Sequence, residues 1–423
     1  MTLTKTAGRP ARGGVRPGER ALAPDLARGI MLLGIVLSNT AFHLWAAPRG
    51  PAGWQPVDGS WLDHTVQFTM IIMLDLRFYP LFAFLFGYGM MQLYLRQTTA
   101  GTGERDAVKL LRRRSLWLIV IGLLHACLLM AGDILGYYGV LSLIVGFAFL
   151  RRGERTLRVW SAIAVALMLL FAAAPVVVAL LQGDPLATVG DAGGDAGDRA
   201  YGAYQESWLD AAGTRAVTGL FLTFAIAPLA MVSGAFVLFL LGFLAARHRV
   251  LEEPGRHLCL LRRTAVIGIA VGWLGALPAA LAHIGVLDVP ADMQSESGVL
   301  TTLRDVTGNA AGIGYVAALT LLAHWWSGRT RRRGATAVTA VASVGKRSMS
   351  CYLAHSLLFA PLLAAWGLGL GEHLGSATMA LFGLGVWLIT VAGAYALERA
   401  GRRGPAEAVL RRLMYGPAGS RTR

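Results

Sequence analysis

Long apolar runs, separated by loops that carry most of the charge, set the pattern of this chain. A run of about 18 or more apolar residues is long enough to cross hydrocarbon as a helix, because a helix satisfies its own backbone there. Such runs fall near 27–46, 78–95, 115–132, 133–150, 157–182, 226–246, 264–286, 310–326, 350–370 and 377–397. The pattern predicts an all-α, polytopic membrane helix bundle of ten transmembrane helices. The sixth run starts near Ala216 and is broken by Pro228, which predicts a re-entrant or amphipathic piece ahead of that span. Residues 61–76 raise the same expectation ahead of the second span.

Lys and Arg near span ends set orientation. The N-terminal tail, the loop from Arg96 to Arg114, the loops Arg151–Arg158, Arg247–Arg263 and Arg329–Arg347, and the C-terminal tail are basic. The alternate loops are poor in basic residues: 183–214 carries Asp184, Asp191, Asp195, Asp198, Glu206 and Asp210 against Arg199. Ten spans with both termini cytoplasmic satisfy every loop. The chain then divides into a disordered basic tail (1–20), an N-terminal transmembrane half (21–182), an outer loop with an amphipathic helix (183–225), a C-terminal transmembrane half (226–400) and an amphipathic cytoplasmic tail (401–423). The first apolar run is long and lacks a small-residue cleavage site, so no cleaved signal peptide is expected.

Composition fits this frame. Hydrophobic residues make up 55% of the 423 residues and charged ones 15%, which excludes an ordinary soluble domain. The net charge of +15 is topogenic, facing anionic lipid headgroups, and no soluble basic domain exists to bind nucleic acid. Cys127, Cys259 and Cys351 share no metal-type spacing and read as free thiols, so no metal is expected.

Ionisable groups inside spans are costly and therefore candidates for function. Asp25 and Arg28 lie three residues apart at the start of the first span. They are either a mutually satisfied interfacial pair or an anchor for a phosphorylated or acyl-carrier ligand. Asn39 and His43 share a face at its end. His64, Asp75 and Arg77 precede or open the second span, His125 sits in the outer half of the third, and Asp133 lies in the turn to the fourth. His125 and Asp133 are about two helical turns apart. The plain alternatives are an interhelical hydrogen-bonding histidine and an Asp N-cap. In the ninth span Tyr352 and His355, three apart, can face a cavity together. One polar cavity shared by spans one, two, three and nine is expected.

Four stretches carry a family resemblance. They are Asp25-Leu26-Ala27-Arg28-Gly29 with Asn39; Arg77-Phe78-Tyr79-Pro80 running through to Phe86-Gly87; Gly122-Leu123-Leu124-His125 with Gly132-Asp133; and Gly345-Lys346-Arg347-Ser348 through Tyr352-Leu353. In this order they resemble the YeiB family of bacterial membrane proteins. The N-terminal half is also similar to the transmembrane acyltransferases typified by heparan-alpha-glucosaminide N-acetyltransferase. Those relatives carry a histidine before an aspartate and then a Phe-rich span ending in Gly. Here His64 stands eleven residues before Asp75, followed by Phe78 to Gly87.

That resemblance implies an acyltransferase of the plasma membrane. It would move an acetyl or other acyl group from a cytoplasmic acyl-CoA, with acetyl-CoA favoured, to a hydroxyl or amine on a small molecule or glycan. His64 or His125 would be the base or the acyl carrier, with Asp75 or Asp133 orienting it. Arg28 or the Arg112-Arg113-Arg114 run, with Arg113 at its centre, would hold the CoA phosphates. Asn39, Arg77, Tyr352 and His355 would complete the binding site. The alternative is a proton-coupled transporter or exporter that uses the same groups as a relay. A homodimer is compatible with either.

Overall fold

A computed structural model describes residues 22–51, 55–181, 201–230, 233–295, 298–327 and 335–419. The tail expected over 1–20, residues 183–200 of the outer loop and residues 420–423 lie outside them. The described chain is all-α, with no strand among the described residues and one isolated bridge between Arg49 and Pro56.

The first half holds α1 (Leu22–Ser38), which runs into a 3-10 turn (Asn39–His43), then α2 (Trp61–Met73), α3 (Phe78–Thr99), α4 (Glu104–Leu128), α5 (Ile134–Phe149) and α6 (Glu154–Leu181). The second half holds α7 (Trp208–Phe221), α8 (Gly234–Arg247), α9 (Leu258–His283), α10 (Val299–Ser327), α11 (Ala335–Lys346), α12 (Ser348–Leu363), α13 (Ser376–Arg399) and α14 (Pro405–Gly419, kinked at Gly416). Seven helical stretches among the described residues are long and apolar enough to cross a membrane: α1, α2 with α3, α6, α7 with its continuation to Leu229, α9, α10 and α13. The apolar helices α5, α8 and α12 are shorter.

Two expected loops are partly helical. Residues 104–114 form the first turns of α4, where Glu104 and Asp106 suit a helix N-terminus. Residues 335–346, within the basic loop expected at Arg329–Arg347, form α11, which packs against α1 and α13. The expected piece ahead of the sixth span is α7, followed by a π-helical turn at Leu222–Ile226. The helix then breaks, and α8 restarts with Ser233 as its N-cap.

The sequence of α4 shows how a helix of the bundle chooses its faces. Leu116, Val120, Leu124 and Leu128 recur every fourth residue and form an exposed apolar stripe. Ser115, Leu118, Gly122 and His125 form the buried stripe. Elsewhere close packing rests on small residues, since lipid gives helices little hydrophobic reason to associate. A Cβ on Gly87 of α3 would meet the Phe239 carbonyl, and one on Gly242 of α8 would meet the Phe84 carbonyl. The two backbones touch only because both positions are glycine.

Candidate functional site

The buried stripe of α4 ends at His125, and the chain turns back into α5 with Asp133 as N-cap. Asp133 divides its carboxylate between two tasks. Its Oδ1 lies 2.8 Å from His125 Nδ1, and its Oδ2 accepts the Gly136 N–H at 2.6 Å. The capping and histidine-partner readings are therefore both realised, one per oxygen. The two side chains are 2% and 1% exposed. In the neutral ring whose proton sits on Nδ1 and is donated to Asp133, Nε2 is the lone-pair acceptor. That Nε2 is buried, and among the described residues no hydrogen-bond partner meets it.

Tyr352 of α12 completes the cluster. Its ring centroid lies 5.1 Å from that of His125, and its hydroxyl accepts the Ile134 N–H at 3.3 Å. Gly122, one turn before His125, leaves the necessary space: a Cβ there would collide with Asp133 Oδ2 and the Gly136 nitrogen.

Two cavities flank this cluster. The first, of about 300 Å³, opens where α1 begins and is lined by Asp25, Arg28, Arg96, Arg114, Lys346 and Tyr352, among others. Arg28 pairs with Asp25 at 3.5 Å, and the Arg114 guanidinium stacks 4.7 Å above the Phe86 ring. Glu407 of α14 also borders it. That carboxylate accepts the Met349 N–H at 2.8 Å and the Ser350 N–H at 3.1 Å, so the C-terminal helix caps α12. Acidic groups at a helix N-terminus offset its dipole and its unpaired N–H groups.

The second cavity, of about 370 Å³, lies where α1 ends and includes Ser38, Gln55, Asp75, Asp133, Tyr137 and Arg304 in its wall. Asp75 accepts from Ser38 Oγ and Gln55 Nε2, each at 2.9 Å. Ile134 borders both cavities, Tyr352 the first and Asp133 the second. The single cavity expected from the sequence is thus two; Tyr352 borders the first and Asp133 the second, while His125 lies buried behind them and lines neither.

The remaining candidates scatter. His64, half-buried on α2, contacts Gln67 Oε1 at 3.1 Å through Nδ1 and lines neither cavity. It is not paired with Asp75. Asn39 opens the 3-10 turn outside both linings. Arg77 is fully buried and donates to backbone carbonyls of Asp75 and Gly272, which makes it a helix-packing group. His355 is buried against Thr390 Oγ1 at 3.1 Å. Arg113 is exposed, and the neighbouring Arg114 is the member of the run that enters the first cavity. Helical spacing carries the signal: 114, 118, 122 and 125 share the buried face of α4. Glu407, Gln55 and Arg304 had no local signal, because their partners come from distant segments.

The chain is similar to two bacterial proteins described as uncharacterized. It is 26% identical over 416 residues to YxaH of Bacillus subtilis, covering 94% of each chain. It is 26% identical over 424 residues to YeiB of Escherichia coli, covering 96% of this chain and 99% of that one. Residues 245–417 match the family described as a protein of unknown function, DUF418. The match in the C-terminal half and the similarity along nearly the whole length to YxaH and YeiB support the YeiB-family resemblance of the chain.

Proposed function

We propose that this protein is an integral-membrane acyltransferase of the plasma membrane. It takes an acyl group from a cytoplasmic acyl-CoA and places it on a hydroxyl or amine held on the other side of the bundle. One observation carries this reading: buried His125 pairs with Asp133, which lines one cavity, and packs on Tyr352, which lines the other, where Arg28, Arg96, Arg114 and Lys346 also stand. Basic residues mark the cytoplasmic face by the positive-inside tendency, so both termini are placed there. Guanidinium groups suit phosphates, which favours that cavity for the donor.

In this scheme His125 is the base. Its Nε2 takes the proton from the acceptor O–H or N–H as the acceptor atom bonds to the thioester carbonyl carbon. The C–S bond then breaks, and the imidazolium returns its proton to the departing thiolate. Asp133 holds the ring and stabilises its charged form. Burial excludes water, which protects the thioester from hydrolysis.

A second reading uses the same features. Two cavities bordered by members of one titratable cluster also suit a proton-coupled transporter. The separating experiment is incubation of purified protein in lipid with radiolabelled acetyl-CoA, with acid quench. Label on protein or acceptor, with CoA release that the His125→Gln variant lacks, supports the enzyme. CoA release equal in wild type and variant sinks it.

A further inference from the structure

Arg304 is a buried arginine without an evident structural task. It sits in the first turns of α10, is 3% exposed, and borders the second cavity. Its Nε donates to Asp305 Oδ1 at 3.2 Å. Among the described residues no acceptor meets its two Nη groups. Burying a guanidinium is costly unless its donors are matched, and Asp305 matches one side only.

The rest of the cavity wall explains what the open side faces. The carboxylates nearby are already engaged: Asp75 by Ser38 and Gln55, Asp133 by His125 and the Gly136 nitrogen, Asp305 by Arg304 itself. Across the wall Ser233, Gly234 and Ala235 line the cavity at the start of the 14-residue α8, whose positive end lies there although Ser233 Oγ already accepts the Ala235 N–H at 3.3 Å. Tyr79, Tyr137, Tyr138 and Tyr201 supply flat walls, with Tyr201 stacked on Phe42 at 4.4 Å. The Arg304 Nη donors, beside a helix N-terminus and in a pocket of rings, form a site for an anionic group on a compact body.

We propose that the second cavity binds a small molecule through a carboxylate or phosphate, held by the Arg304 Nη groups and the N-terminus of α8, with its ring or chain against the tyrosines. Naming this ligand as the acyl acceptor rests on the acyltransferase reading; the anion site itself does not.

The test uses matched probes, 4-hydroxyphenylacetate and its neutral amide, titrated by calorimetry against the full-length protein in phosphatidylcholine nanodiscs. The acid should bind about tenfold or more tightly than the amide, as a charge-assisted fork contact warrants. Arg304→Gln should erase the preference, and Arg304→Lys should keep only part of it. Equal binding of the two probes to wild type, or no binding of the acid at millimolar concentration, overturns the proposal without needing any variant to fold. A preference that survives in Arg304→Gln also overturns it. Repeating the titration in phosphatidylglycerol discs separates the sources. Weakened acid binding in wild type assigns the anion to a lipid headgroup phosphate, and unchanged binding assigns it to a soluble ligand. Failure of acyl transfer with the acid preference intact removes the enzyme reading alone. Loss of the preference with acyl transfer intact removes only the anion site.

Discussion

The Tyr352 hydroxyl accepts the backbone N–H of Ile134 at 3.3 Å, joining positions 218 residues apart in sequence. That N–H is the first donor of α5, and the same helix start carries Asp133 and, through it, His125. The C-terminal half of the chain thus helps fix the carboxylate that orients the histidine. Tyr352→Phe keeps the ring against His125 and removes the acceptor, which is worth about 1 kcal/mol for an ordinary hydrogen bond. The expected result is a modest fall in acetyl-CoA turnover, with yield of folded protein retained. His125→Gln should cost far more, about 10²–10⁴-fold, as loss of a general base does. Rates for both variants, compared with their gel-filtration profiles, check this. Full activity in His125→Gln ends the histidine mechanism.

The membrane bundle was legible in the sequence because apolar runs and positive loops are local signals. His125 and Asp133 were legible as a pair for the same reason, being eight residues apart across one tight turn. The family resemblance alone sets His64 with Asp75, eleven residues apart. They separate because α2 ends at Met73 and the chain turns there, with Leu76 at a φ of +59°, which sends Asp75 toward Ser38 and Gln55. The Arg112-Arg113-Arg114 run offers three arginines, and helical phase decides that Arg114, not Arg113, faces inward. The capping of α12 by Glu407 depends on a partner 58 positions away, which no local pattern reports.

Gly122 gives a sharper test of the site's geometry than any polar substitution. A methyl group there would overlap Asp133 Oδ2 and the Gly136 nitrogen, so α4 and α5 must part. Overpacking of this kind costs about 1–3 kcal/mol. Gly122→Ala should lower thermal stability by a few degrees and abolish most turnover, while Gly153→Ala, where nothing lies within 4 Å of the added carbon, changes neither. Thermal melts in detergent paired with the acetyl-CoA assay read both effects. A fully active Gly122→Ala variant contradicts the claim that the His–Asp contact must be this close.

Topology can be read with reporters. The loop sequence around Gly193 is acidic and that around Gly334 basic, so the positive-inside tendency places them on opposite faces. Alkaline phosphatase fused after Gly193 should be active and fused after Gly334 inactive, with a cytoplasmic reporter giving the reverse. The same compartment for both positions overturns the assignment of the arginine-lined cavity to the cytoplasm.

Arg113 and Arg114 offer an internal control for the donor site. They have the same chemistry and adjacent positions on α4, yet Arg113 is exposed while Arg114 lines the first cavity above the Phe86 ring at 4.7 Å. If that cavity takes the phosphate-bearing donor, Arg114→Gln should raise the KM for acetyl-CoA about tenfold, since one charge-assisted contact to a phosphate contributes roughly 1.5–3 kcal/mol and part of it is replaced by water. Arg113→Gln should leave KM within error, because an exposed charge loses little on removal. Arg114→Lys should recover only part of the loss, since an ammonium neither forks nor stacks as a guanidinium does. Steady-state kinetics with acetyl-CoA as the varied substrate decide the matter. Equal effects of the two glutamine variants point to a diffuse surface charge effect and remove Arg114 from the donor site.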